Sequence, residues 1–472
     1  MNILFAASEA VPYAASGGLA DVVGSLPKAI SAKGHNCAVV IPLYKSIDSE
    51  LREEMEFIAN LTVDVSWRKQ YCGIFMAEKN GVTYYFIDNE YYYNRDGLYG
   101  FYDDCERFVF FGRAVLEMLK FIDFKPDIIS CNDWQTALIP VYFHVYYRYL
   151  EGYDKLKITM TIHNIEYQGR YGKKVLNELM GIPAYNSGIL EYDGYINMLK
   201  GAIETADRII TVSPSYALEI LDPWYACGLD RILADKRYKL KGILNGIDTD
   251  FYDPEKDSYI AWHFSENDKS GKAKCKSELL TELGFVNDGE PLLGIVTRFV
   301  KHKGIDLIRC AFEEIINSGI KVAVLGSGEK IYEDFFIEMS RRYPDRVSVT
   351  TGFVPELAHR IYAGSDMFLM PSQSEPCGLA QMIAMRYGTA PIVRETGGLR
   401  DTVRDNGGVN GNGFSFKTFN ADDMLDAVRR AKRDYDDKTK WTALVDRAMK
   451  CNNSWSASAD AYIENFTELL NS

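Results

Sequence analysis

The sequence predicts an α/β protein of two doubly wound parallel-sheet domains, and three observations carry that expectation. The chain has 472 residues, more than the roughly 250–300 that one hydrophobic core organises, so two domains are expected. Short apolar runs alternate along its length with longer amphipathic stretches, the pattern of βα units. The alternation also falls into two series, divided near residues 248–254, where polar residues and Pro254 interrupt it.

In the first series the runs at residues 2–7, 36–43, 82–87, 127–130, 158–163 and 208–212 are expected as strands, because each is short, apolar and rich in β-formers. The second series places strands at 292–297, 321–325, 346–350, 367–370 and 390–393, with helical patterns at 305–318, 330–343 and 378–387 between them. The expected domains are therefore 1–247 and 248–453. A last segment, 454–472, carries Trp455, Ala459, Tyr462, Ile463, Phe466 and Leu469 at helical spacing and has an apolar face that either domain could cover. In doubly wound sheets, ligands are expected at the carboxyl ends of the strands, here in a cleft between the two sheets.

Composition narrows the function. Apolar residues make up 47% and charged residues 25%, which suits a globular chain with sizeable cores. Acidic residues number 66 against 53 basic, a net charge of −13, which opposes attraction to nucleic acid or an anionic membrane, so an anionic ligand needs a local cationic site. The start, Met1-Asn2-Ile3-Leu4-Phe5, has no cationic leader region and reads as a buried strand. No apolar run reaches the roughly 18 residues of a membrane span. Nine scattered cysteines without paired spacing fit a reducing cytoplasm, and no zinc-ligand or other metal pattern is present.

The motifs gather at strand ends. Ser16-Gly17-Gly18-Leu19-Ala20-Asp21 follows the first strand and opens a helix, where free N–H groups suit an anion; an ordinary βα turn is the plainer reading. Thr396-Gly397-Gly398-Leu399 repeats the form after a strand of the second series, which strengthens the functional reading of both. Arg298 and Lys303 stand at a strand's carboxyl end and before a helix, where two cations can neutralise a diphosphate; a solvated basic loop is the alternative. Glu375, in Glu375-Pro376-Cys377-Gly378-Leu379, can bind sugar hydroxyls or stabilise charge at an anomeric carbon, or merely cap a helix. Cys377 reads as a small packing residue. His163-Asn164 ends one strand and Asn132-Asp133-Trp134 another, so His163, Asn164 and Asp133 are candidates, while Trp134 either stacks on a sugar or packs in the core. The 31 tyrosines, clustered as Tyr91-Tyr92-Tyr93, suit a glucan groove without demonstrating one.

Taken together, the segments 17–22, 132–137, 163–169, 197–201, 211–214, 244–248, 298–304, 375–381 and 396–403 resemble the bacterial glycogen synthase and plant starch synthase family of retaining glucosyltransferases, over almost the whole chain. The resemblance implies the GT-B fold, two Rossmann-like domains facing each other across a deep cleft, with the final helix returning to the N-terminal domain. It implies transfer of glucose from ADP-glucose to the non-reducing end of an α-1,4-glucan such as glycogen, with retention and without a metal or other cofactor. It further implies that Arg298 and Lys303 hold the donor diphosphate, that Glu375 and His163 lie at the donor glucose, and that Asp21 and Asn245 line the site. Gly18 and Gly398 would lend N–H groups to the donor.

One departure bears on the donor: the family usually reads Lys-(Thr or Val)-Gly-Gly where this chain has Ala15-Ser16-Gly17-Gly18. Smaller departures are Ala380, where several relatives have Thr, and Asn132, where many have His. The alternatives are the same reaction with UDP-glucose or with both donors, or a glucan-binding or priming partner impaired in catalysis. Oligomeric state is not encoded in any of these signals.

Overall fold

A computed structural model describes residues 1–408 and 410–472. The chain divides into two compact units, Met1–Gly246 together with Trp455–Ser472, and Ile247–Ser454.

The first unit is built on strands β1 (Asn2–Ala6), β2 (Asn36–Pro42), β3 (Glu56–Val65), β4 (Arg68–Lys79), β5 (Val82–Asp88), β6 (Ile128–Asn132) and β7 (Lys157–Ile162). The short strands β8 (Arg170–Tyr171), β9 (Glu191–Tyr192) and β10 (Tyr195–Asn197) form a separate small sheet, and β11 (Arg208–Thr211) and β12 (Leu240–Gly242) complete the main one. The main sheet runs β12-β11-β7-β6-β1-β2-β5-β4-β3. From β12 to β5 every pairing is parallel, and β1, whose residues Ile3–Ala6 are buried, lies between β2 and β6. The winding therefore reverses between β1 and β6, which makes the carboxyl ends of those two strands the switch point.

The wholly parallel expectation needs one correction here, because β5-β4-β3 is an antiparallel extension. Its strands are only partly buried, so charged residues such as Arg68, Lys69, Glu78 and Lys79 interrupt the apolar signal. The helix Gly18–Ser31 buries Leu19, Val22, Val23, Leu26 and Ile30, a stripe at helical spacing. Against it packs the helix Trp455–Leu470, with Trp455, Ala459, Tyr462, Phe466 and Leu469 buried, and Lys33 pairs with Asp460 at 2.7 Å.

In the second unit, β13 (Leu292–Val296), β14 (Lys321–Gly326), β15 (Val347–Thr351), β16 (Met367–Met370), β17 (Ala390–Arg394) and β18 (Phe414–Phe416) form one parallel sheet in the order β15-β14-β13-β16-β17-β18. The reversal falls between β13 and β16. The strands are joined through helices such as Ile305–Asn317, which buries Ile305, Ile308, Ala311, Phe312 and Ile315. The helix expected at 378–387 begins later, at Ala380–Arg386, because Gly378 has φ +73°, which no helical residue adopts. Among the described residues, no helix is long and apolar enough to cross a membrane.

Candidate active site

In the second unit the switch point gathers the candidate cations and carboxylate. Arg298, two residues beyond β13, is exposed and makes no ion pair or side-chain hydrogen bond among the described residues. Lys303 is turned instead onto Glu375, Nζ to Oε2, at 2.6 Å. Glycine makes that approach possible. Gly304 has φ +75°, and a Cβ there would lie 2.1 Å from the carbonyl oxygen of Pro371, so the cationic loop rests directly on the chain leaving β16. The Gln373 N–H donates to the His302 carbonyl at 2.8 Å across the same contact.

The loop of Glu375 is clamped from the other side by the second Gly-Gly turn. A Cβ on Gly397 would lie 2.0 Å from the Glu375 carbonyl oxygen, and one on Gly398 would lie 2.2 Å from that of Cys377. The Gly398 N–H is shared between the carbonyls of Glu375 and Pro376, at 3.2 Å each. That differs from the expectation that this N–H serves a ligand: close packing of two backbones has taken it. Gln381 donates to the carbonyls of Cys377 and Gly378 and to Thr402 Oγ1, whose hydroxyl donates to the Gly398 carbonyl, so both turns form one hydrogen-bonded piece. Leu379 precedes the helix Ala380–Arg386, and Thr396 and Cys377 are buried in this piece.

In the first unit, Asp133 follows β6 with φ +55°, a backbone conformation costing a non-glycine residue about 1–3 kcal/mol and held by its surroundings. Its N–H donates to the Thr161 carbonyl, and its Oδ1 accepts the His163 N–H at 2.8 Å. The Asn164 N–H also bonds this carboxylate. Burial nevertheless pushes the Asp133 carboxyl up to about 7, with the nearby Glu9 adding to the rise. Asn164 Oδ1 accepts from the Glu166 N–H.

His163 is brought down to about 4 by burial, so its ring is neutral at pH 7. Its tautomer follows from Asn132. That side-chain amide donates to the carbonyls of Ala6 and Ser130, so its Oδ1 must accept from His163 Nε2, 2.9 Å away. The Nδ1 lone pair is left as an acceptor.

Glu9, beyond β1, accepts from the N–H and hydroxyl of Ser16 at 2.5 and 2.7 Å; burial raises its carboxyl, these bonds oppose the rise, and Asp21 adds to it. Ser8 bonds the Tyr99 hydroxyl at 2.7 Å. Gly17 and Gly18 are exposed, and a Cβ added at either would meet nothing within 4 Å; Gly17 is also extended, so neither crowding nor a positive φ demands glycine in either place. Asp21 lies in the first turn of the helix Gly18–Ser31. Asn245 is buried, with its Oδ1 unpartnered among the described residues. Trp134 packs edge-on against Phe108 at 5.1 Å, and a Cβ on Gly169 would lie 2.7 Å from its ring, which favours the packing reading.

Sequence reasoning passed over Ser372 and Arg394, and gave Glu9 no role. Ser372 donates to Glu375 Oε2 at 2.9 Å, and Arg394 donates through Nε to the Ser372 carbonyl at 2.8 Å. Their position beside Glu375 was visible for Ser372 alone, three residues away; Arg394 arrives from the neighbouring strand. Among the described residues, no cluster of three His, Cys, Asp or Glu could hold a metal ion.

Two Rossmann-like units, each with polar residues at its switch point and the second with the cations Arg298 and Lys303 there, define a glycosyltransferase of the GT-B class. Residues 2–235 match the starch synthase catalytic domain, and residues 282–444 match the group 1 glycosyl transferases. A glycogen synthase of Clostridium botulinum (strain Alaska E43 / Type E3) is 48% identical over 99% of both chains, and one of Anoxybacillus flavithermus is 46% identical over 100% of this chain and 98% of that one. The catalytic domain of starch synthase IV from Arabidopsis thaliana, solved with ADP and acarbose, superposes with a TM-score of 0.92 at 34% identity, covering 100% of this chain and 99% of that one. A sucrose-phosphate synthase of Thermosynechococcus elongatus shares the fold, with a TM-score of 0.63 at 17% identity. The chain belongs to the glycogen synthase and starch synthase family.

Proposed function

We propose that this family member transfers glucose from ADP-glucose to the 4-hydroxyl at the non-reducing end of an α-1,4-glucan, with retention of configuration and without a metal ion. The observation that carries this reading is a grouping at one switch point: Arg298, exposed and without an ion pair among the described residues, and a second cation, Lys303, bonded to the buried carboxylate Glu375. Two cations offset the charge that develops on a departing diphosphate, so no metal is required for that purpose. The binding of ADP and acarbose by the Arabidopsis relative supports a nucleotide sugar and a glucan as substrates.

In this reading Arg298 and Lys303 take the diphosphate, and Lys303 exchanges part of its bond to Glu375 for phosphate oxygens. Glu375 keeps its other oxygen, Oε1, toward the glucose. His163, neutral and with Nε2–H committed to Asn132, offers Nδ1 as an acceptor to a sugar hydroxyl, so that hydroxyl donates. Asn245 Oδ1, buried and without a partner among the described residues, is suited to a donor group of the substrate. In a front-face displacement the bond from the anomeric carbon to phosphate breaks, the bond to the acceptor oxygen forms, and the acceptor's proton passes to the departing phosphate.

The test incubates the full chain with glycogen and either ADP-glucose or UDP-glucose, following nucleoside diphosphate release and product anomer. Faster release from ADP-glucose with an α-linked product is expected. Faster turnover of UDP-glucose would reassign the donor, in keeping with the exposed Ala15 where a lysine is usual. Release from neither would leave a glucan-binding role.

A further inference from the structure

The carboxylate of Glu375 is used unequally. Oε2 accepts from Lys303 Nζ at 2.6 Å and from Ser372 Oγ at 2.9 Å, whereas Oε1 makes no hydrogen bond among the described residues and is not sealed from solvent. Ser372 itself is 1% exposed and held through its backbone. Its carbonyl receives Arg394 Nε at 2.8 Å, the next carbonyl, of Gln373, receives Arg394 Nη2, and the Gln373 N–H is bonded to His302. The hydroxyl thus stands on a rigid stretch between β16 and β17.

We propose that Ser372 is a positioning residue for glucosyl transfer: braced by Arg394, its hydroxyl fixes Glu375 Oε2 so that Oε1 stays presented to the sugar while Lys303 is drawn onto the diphosphate. This rests on the reading that Glu375 serves the donor glucose and Lys303 the diphosphate.

Two anions compete for one lysine. Lys303 carries a single positive charge, and a diphosphate is a stronger attractor for it than a single carboxylate. Binding of the donor therefore weakens the shorter of the two bonds to Oε2. Ser372 is neutral, buried and anchored by its own backbone, so the anion does not recruit it. The terminal torsion of a glutamate is broad, and a carboxylate held by Lys303 alone would swing with the lysine. With Ser372 in place, the lysine moves and the carboxylate stays.

The experiment compares Ser372→Ala with the parent in the full chain, measuring kcat, KM for ADP-glucose, ADP binding and Tm. Loss of a hydrogen bond to a charged group should lower kcat by about 10- to 100-fold. KM and the Kd for ADP should stay within about two-fold and Tm within about 3 °C, because the cations and the backbone clamp are untouched. Ser372→Thr, which restores a hydroxyl, should recover most of the loss. An unchanged kcat in Ser372→Ala would overturn the proposal, as would a parallel loss of kcat, ADP binding and Tm that Thr does not repair. Should Ser372→Ala fail to fold, a folded Ser372→Cys decides, since its weak donor should leave kcat well below the parent and parental turnover would refute the role. Glu375→Gln, assayed alongside, separates the two levels. If Glu375→Gln remains active, the underlying assignment of Glu375 fails; if it is inactive while Ser372→Ala is normal, only the positioning role fails.

Discussion

Asp133 and His163 are displaced in opposite senses by the same burial, and this gives the site a measurable pH signature. The Asp133 carboxyl, ordinarily 3.8, stands at about 7 in the folded chain. Between those values the folded state holds a proton that the unfolded state has released, so this contribution falls as pH rises from about 4 to about 7 and is level above. His163 moves from 6.5 down to about 4; there the unfolded state holds the extra proton, and its contribution rises with pH over that interval. Asp133→Asn removes the first slope only. The Tm of that variant relative to the parent should therefore climb between pH 4 and 7 and then flatten, and a pH-independent difference would show that burial is not the cause. The two cations should also separate. Arg298→Ala and Lys303→Ala should each lower kcat/KM by about 100-fold or more. Arg298 is exposed and has no ion pair among the described residues, so its loss should leave Tm unchanged, whereas loss of Lys303 strands the buried Glu375 carboxylate and should lower Tm. The residue types were legible in the sequence because cations and carboxylates at strand ends are chemically conspicuous. Which of them pair was not, since Lys303 and Glu375 are separated by 72 positions and meet only through folding.

At the scale of elements, the two Gly-Gly turns look alike in sequence and differ in the fold. Gly397 and Gly398 are pressed against the carbonyls of Glu375 and Cys377, while Gly17 and Gly18 have open space. Gly398→Ala should cost about 1–3 kcal/mol through overpacking and lower Tm together with activity. Gly18→Ala should leave Tm near the parent, so any loss of turnover there reports on ligand contact. Equal melting losses in both variants would contradict the distinction. The antiparallel extension holds a signal that went unread: Asn80-Gly81 joins β4 to β5 with both residues at positive φ, the hairpin turn that this dipeptide favours. Its flanks hid it, because a partly solvated edge carries charges where buried parallel strands carry unbroken apolar runs.

At the scale of the whole molecule, the second unit is one continuous stretch of chain, whereas the first is closed by a helix from the far end of the sequence. The helix Trp455–Leu470 covers the helix Gly18–Ser31, and Ser458 Oγ donates to the Leu244 carbonyl at 2.7 Å. Residues 247–454 expressed alone should melt cooperatively, while 1–246 without 455–472 should expose that apolar face and aggregate or melt far lower. Cooperative melting of 1–246 at the temperature of the full chain would show that the helix is dispensable. By itself the sequence determined two βα series, the point where they divide, and the polar residues at the strand ends, because apolar periodicity and strand-end chemistry are local properties of the chain. Only the tertiary structure decided which glycines are obligatory, which tautomer His163 holds, and that Ser372 and Arg394 brace Glu375. Those outcomes depend on backbones and side chains distant in sequence approaching to within hydrogen-bonding distance, and no local pattern encodes that approach.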